Sequence, residues 1–233
     1  MVINVKTIKY IIWLLYPVFF IALFASLLTT KTYMNISEDR YPSHQDITYD
    51  YTYVSGNLID YLNYRHDDLY FGANPGDVEP ILRHEVNVIN GEEVVVSEIE
   101  HMEDVREVYT QIRLAGIISL IIVVGLSILL YKKHPQLLYE TYRDIYYFPA
   151  FFILFVGGWM IIAFDITFTV FHEIFFDGNW QFRTDDTLIL MLPSMFWLVS
   201  GIIILLLLSV TIGFTTFLSK KYLKRHLFGA KEA

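Results

Sequence analysis

Four stretches of this chain contain no Asp, Glu, Lys or Arg: residues 10–30, 114–131, 145–164 and 187–219, which are 21, 18, 20 and 33 residues long. Hydrocarbon offers no partner for a bare amide or carbonyl, so a run of this kind crosses a bilayer as a helix that bonds to itself. About 20 apolar residues suffice for the roughly 30 Å core. Each run is therefore long enough to span. Pro193 near the start of the fourth marks 187–193 as an interfacial approach, with the span proper in 194–218. The first run follows Lys6 and Lys9, as a signal peptide would, but it is too long for a signal h-region and no small-x-small cleavage site follows it. It is expected to remain as an anchor. The expected fold class is an all-α membrane protein, a single membrane domain over 1–233 with spans at about 10–30, 112–131, 145–164 and 194–218. An outer cap over 31–111, with helical segments and a small β-hairpin, and a second outer loop over 165–187 complete it.

The charges lie between the spans, and they are sorted. The chain carries 17 Lys and Arg against 25 Asp and Glu, a net −8. The N-terminus, the 132–144 loop and the C-terminal tail together hold ten cations and three acids, +7. The segments 31–113 and 165–186 carry −11 and −4, so the other face is −15. By the positive-inside rule both termini are expected in the cytoplasm of a multi-pass cell-membrane protein, with the acidic face outside. An acidic chain lacks the positive footprint of a nucleic-acid binder. There is no cysteine, so disulfides, thiolate metal sites and Cys nucleophiles are excluded. No ionisable acid or base interrupts the spans, which argues against an ion-coupled transporter or pump.

Any chemistry is then expected at the outer interface. In the first outer segment, Val54, Leu58, Tyr61 and Leu62 within Ile47–His66 are spaced for an amphipathic helix. After a breaker run at Gly72–Pro80, two β-rich runs, Ile81–Ile89 and Glu92–Val96, flank Asn90-Gly91, the strongest short hairpin signal. Ser97 and Glu100 fit a capping box, predicting a helix that starts at Ser97 and continues into the second span. His101 sits in its first turn. The second outer segment is expected to continue the third span, carrying Asp165, Phe168 and His172 at helical spacing. At 1.5 Å per residue, His101 and His172 stand roughly 16 and 12 Å beyond the outer hydrocarbon boundary in straight helices. A tilt, or a bend at Gly116, would lower them. Two imidazoles at one depth on different helices can face each other.

Motif tests mostly exclude. His84-Glu85 and His172-Glu173 open an H-E-x-x-H template, but the closing positions are Val88 and Phe176, so a helical zinc pair fails twice. No spacing supports zinc at His84, His101 and His172, and no metal is expected. Without a G-x-S-x-G elbow, Walker A or G-x-G-x-x-G, neither a serine hydrolase nor nucleotide chemistry is supported, and no cofactor is expected. The bland alternatives stand beside each candidate. An interfacial histidine is usually an amphipathic side chain with a wet tip. His44, His66, His134 and His226 are expected to be solvated, Trp180 and the Phe/Tyr cluster to form an aromatic belt, and Lys220–Arg225 to anchor the topology.

Two blocks carry a family resemblance. Glu98-x-x-His101-Met102-x-Asp104-Val105-Arg106 resembles a signature of a family of small bacterial membrane proteins. So do Phe164-Asp165-x-x-Phe168-x-x-Phe171-His172 through Phe175-Phe176, Trp180, Asp186-x-Leu188-Ile189 and Leu192-Pro193. The four-span layout with a long and a short outer loop is similar too. That family includes the lipoprotein intramolecular transacylase of Gram-positive bacteria. The resemblance implies, as substrate, a lipoprotein whose N-terminal cysteine carries a diacylglyceryl thioether, met among membrane lipids. One acyl chain would move from the glyceryl sn-2 oxygen to the cysteine α-amino group, giving the lyso-form.

Such a reaction brings its own nucleophile, the substrate amine, and needs a base for it and an acid for the leaving oxygen. On that resemblance His101 and His172 are the expected acid/base pair, with neither role assigned. Glu98 and Asp104, three residues either side of His101, are expected to fix its tautomer, with Asp165 and Asp186 also in support. Arg106, Arg183 and the amides near Gly178 are candidates for oxyanion stabilisation. Phe168, Phe171, Phe175 and Trp180 are candidates to line an acyl groove, with Arg183 beside them. The acidic outer face is expected to raise the histidine pKa values. The rival from another class is a non-catalytic scaffold or binding protein whose acidic cap docks an envelope protein.

Overall fold

The computed structural model describes residues 4–89, 92–176, 178 and 180–229. Among them, four helical stretches are long and apolar enough to cross a membrane: Val5–Leu28, Glu98–Lys133, Pro135–Ile162 and Ser194–Phe228. The protein is a helical membrane protein, as its uncharged runs require. Its chain clusters into two compact units, one of residues 1–25, 112–162 and 201–233, the other of 26–111 and 163–200.

The first, the membrane unit, is built from α1 (Val5–Leu28), the later part of α4 (Glu98–Lys133), α5 (Pro135–Arg143), α6 (Tyr147–Phe152), α7 (Gly158–Ile162) and most of α10 (Ser194–Leu218). A short final helix, α11 (Lys224–Phe228), completes it. Ile12, Leu130, Ile145 and Leu208 are fully buried in its core, while Ile117, Ile121, Leu154 and Val210 point outwards. Apolar side chains outside as well as inside suit a lipid solvent. Several of its polar groups are paired internally. Tyr16 and Thr215 share a hydroxyl hydrogen bond of 2.5 Å, and the Trp13 indole donates to Thr141 O at 2.9 Å. Gly116 lies within α4, which is continuous from Glu98 to Lys133. A Cβ there would sit 2.5 Å from Ala22 Cβ, so the glycine admits α1 at close range, as small residues do in membrane helix pairs.

The second, the cap unit, holds α2 (Lys31–Ser37), α3 (Tyr51–Leu62), β1 (His84–Ile89), β2 (Glu92–Ser97), the start of α4, α8 (Phe164–Phe175), α9 (Thr187–Met191) and the start of α10. Val54, Leu58, Tyr61 and Leu62 are all buried on α3, the face their spacing predicted. They pack in one core with Ile99 and Met102 of α4, Leu188 and Met191 of α9, and Phe196. β1 and β2 pair antiparallel with Ile89 opposite Glu92. The expected Asn90-Gly91 turn lies outside the described residues. Ser97 Oγ accepts the Glu100 amide at 3.1 Å, and α4 then runs unbroken from Glu98 to Lys133.

The second outer segment does not simply continue the third span. Ala163 leaves helical geometry at φ −139°, ψ 52°, and both the amide and the hydroxyl of Thr167 donate to its carbonyl at 3.0 Å. A new helix, α8, therefore starts at Phe164, with Asp165 in its first turn beside the unpaired amides. The height estimate for His172 assumed a straight helix and does not survive this break.

Candidate active site of the cap unit

The cap unit brings its two outer segments together through a carboxylate clasp. Glu98, 0% exposed, stands at the start of α4, ahead of the uncharged run. Its carboxylate accepts the Arg83 amide at 2.8 Å and the Leu188 amide at 2.6 Å. The Arg83 guanidinium in turn donates to both oxygens of buried Asp186 at 3.1 and 3.2 Å, and Asp186 also accepts the Arg183 amide at 2.7 Å. Three stretches distant in sequence are thus tied at one point: the approach to β1, the start of α4 and the start of α9. Burial pushes the Glu98 carboxyl up to about 7, against the pull of its two amide donors. Each Glu98 oxygen thus accepts a backbone amide.

His101 on α4 and His172 on α8 stand face to face. Their ring centroids are 6.1 Å apart with planes 18° from parallel, and each residue is 8% exposed. His172 Nδ1 lies 2.7 Å from Phe168 O. A carbonyl can only accept, so Nδ1 carries the proton and Nε2 holds the free lone pair. Burial lowers the His172 pKa from its usual 6.5, outweighing the opposite pull of that carbonyl. The expectation that the acidic face would raise it is corrected here for His172. Desolvation acts on the ring itself, while most acids of the cap unit are exposed, where water screens them.

Aromatic rings wall the pair. Phe168, Trp180 and Phe171 approach His172 at 4.0, 4.9 and 5.5 Å, and Phe175 packs on Phe171 at 4.8 Å. Phe176 lies 4.8 Å from His101 and 5.3 Å from His172, and Phe182 is 5.3 Å from His101. Neither Phe176 nor Phe182 was selected from sequence. Phe176 had a signal, since its i+4 spacing from His172 places it on the same side of the helix. Arg83 had none.

The remaining candidates are placed as follows. Asp104 is exposed one turn along α4 from His101, and Asp165 is exposed at the start of α8. Arg106 is held elsewhere, against the rings of Tyr61 and Tyr64 at 4.3 and 3.7 Å and paired with Asp67 at 2.6 Å. Arg183 is exposed, 3.3 Å from Asp185 and 3.4 Å from Asp186. The Gly178 amide donates to Phe176 O at 3.1 Å; residues 177 and 179 lie outside the described residues. His84 Nδ1 is 2.7 Å from Ser97 Oγ. His44, expected in solvent, is buried, its Nε2 donating to Met191 O at 3.1 Å. A histidine in a polar stretch is drawn inside when a helix end, here α9, offers it a carbonyl.

Residues 5–197 match the family model of the lipoprotein intramolecular transacylase Lit. The chain belongs to that family. The in meso structure of the membrane integral Lit of Bacillus cereus has the same fold, with a TM-score of 0.70 over 95% of this chain and 96% of that one, at 20% identity. An uncharacterized protein of Aquifex aeolicus is 30% identical over 132 residues, 54% of this chain, and the match spans 58% of that relative's length. The Lit match covers the four spans' first three and both histidine-bearing segments.

Proposed function

We propose that the protein catalyses intramolecular acyl transfer on a diacylglyceryl-modified lipoprotein, moving the sn-2 acyl chain to the α-amino group of the N-terminal cysteine. The observation that carries this reading is the stacked His101–His172 pair inside an aromatic wall, in a chain of the Lit family. The substrate amine attacks the ester carbonyl carbon. A C–N bond forms, the C–O bond to the glyceryl oxygen breaks, and one proton leaves the nitrogen while one joins the oxygen. His172 is suited to take the amine proton, because its Nε2 lone pair is free and burial favours the neutral ring. His101 then returns a proton to the leaving oxygen. An α-amino group has a pKa near 8, so a base at hand lets attack proceed near neutrality. Both reacting groups belong to one substrate, and holding them in a single pocket supplies effective molarity. Phe168, Phe171, Phe176, Trp180 and Phe182 would exclude water and hold the acyl chain.

The test replaces His101 or His172 by Ala in a host without other N-acylating enzymes and weighs the lipoprotein N-terminal peptides. With each variant inserted at wild-type level, we expect N-acylated peptide to fall at least 100-fold, the contribution of a lost acid or base. N-acylation retained in both variants would sink the histidine mechanism. Free amines with the wild-type protein present would instead favour a scaffold role, and an intact sn-2 ester on the product would mean a phospholipid donor.

A further inference from the structure

The membrane unit carries a basic tail after α10. Lys9 and Arg143 both pair with Asp144, at 3.2 and 2.6 Å. Lys220, Lys221, Lys224 and Arg225 form no ion pair among the described residues. They follow α10 through a wide π-helical turn, Ser219–Leu223, into α11. Such turns often mark functional positions in membrane and soluble helices. This one packs on α5, with Ser219 Oγ donating to Tyr139 O at 3.4 Å.

A cavity of about 760 Å³ opens beside the turn, walled by Tyr142, Thr215, Leu218 and Leu223 and rimmed by Arg225 and His226. A second, of about 340 Å³, shares Tyr142 and Leu223 and extends along Val124 and Ile128 of α4. Tyr142 and Leu223 thus wall both. The Tyr142 hydroxyl is already bonded to Ser127 Oγ at 2.6 Å, and Leu218, Leu223, Val124 and Ile128 supply hydrocarbon to the walls. At the rim His226 is steadied by Tyr131, 3.3 Å from Nε2 to the phenol oxygen, with the rings 6.3 Å apart and nearly parallel.

An apolar groove with a cationic rim that has no ion-pair partner among the described residues matches one class of ligand, an amphiphile with an anionic head. A soluble anion would leave the wall unused, and a zwitterionic lipid would bring a cation of its own beside the rim. Basic pockets between membrane helices commonly take acidic head groups. We propose that this groove binds an acidic glycerophospholipid, one acyl chain along Leu223 and Ile128 and the phosphate at Arg225 and His226. The lipid would pin α11 against α5 in the leaflet at the end of the unit that carries the termini.

The purified full-length chain is titrated with phosphatidylglycerol or phosphatidylcholine and weighed intact by native mass spectrometry. We expect phosphatidylglycerol adducts to persist and phosphatidylcholine adducts to be lost. Each cation removed should weaken binding about fivefold, so Lys224→Gln with Arg225→Gln should weaken it roughly 25-fold. Leu223→Trp, which fills the groove and keeps the charge, should also weaken it. A photoactivatable phosphatidylglycerol should crosslink to peptides holding Tyr142 or Leu223. Equal retention of the two lipids, an unaffected Lys224→Gln/Arg225→Gln variant, or an unaffected Leu223→Trp variant would overturn the proposal. Displacement by millimolar inorganic phosphate would also overturn it, as a free-anion rim without a lipid groove. None of these readouts depends on acyl transfer.

Discussion

His172 shows how much one side chain's chemistry depends on its immediate neighbours. Its hydrogen bond to Phe168 O is local, four residues back along α8, and it selects the tautomer. Its depressed pKa comes from packing against Phe168, Phe176 and Trp180. The folded-state pKa lies below the unfolded value, so the neutral ring's contribution to stability is present above pH about 6.5 and is lost as pH falls through the folded pKa. With His172 as base, the acidic limb of the pH–activity profile should have its midpoint below 6.5. Trp180→Ala, which admits water to the ring, should move that midpoint up towards 6.5. A midpoint above 6.5 in the wild-type protein would contradict the base assignment. Glu98 works through the backbone instead. Glu98→Ala leaves the Arg83 and Leu188 amides without their acceptor, each a loss of about 1–3 kcal/mol. Thermal unfolding in detergent should show a clear drop for Glu98→Ala and a smaller one for Glu98→Gln, which keeps one acceptor oxygen.

At the scale of elements, α4 and α8 obey different rules. α4 begins where Ser97 caps it and ends in Lys132 and Lys133 near its unpaired carbonyls, both legible from residue order. α8 begins at a backbone break that no Pro or Gly at Ala163 announced. That break follows a π-helical stretch, Ile153–Gly157. The α1–α4 contact rests on Gly116 against Ala22. Gly116→Ala should cost about 1–3 kcal/mol by overpacking, measured as lost thermal stability. Ala22→Gly in the same chain should recover part of it, whereas additive losses would show that the two positions do not meet.

For the whole molecule, charge sorting is the organising fact: +7 on the segments that include both termini and −15 on residues 31–113 and 165–186. That asymmetry predicts both termini in the cytoplasm and the histidine pair outside. Reporter fusions test it directly. A fluorescent protein at the C-terminus should fold and fluoresce, and an alkaline phosphatase inserted near Val78, 95% exposed in the cap, should be active; the reverse pattern would overturn the orientation. By itself the sequence determined the four spans, the amphipathic face of α3, the cap of α4 and the two histidines, because each depends on uncharged length, helical period or a spacing of three or four residues. Only the tertiary structure decided which groups meet. Arg83 reaches Asp186 across 103 residues, Glu98 reaches Leu188 across 90, and Phe182 turns towards His101. These contacts arise from long-range packing in the cap core, and chain-local periodicity carries no record of it.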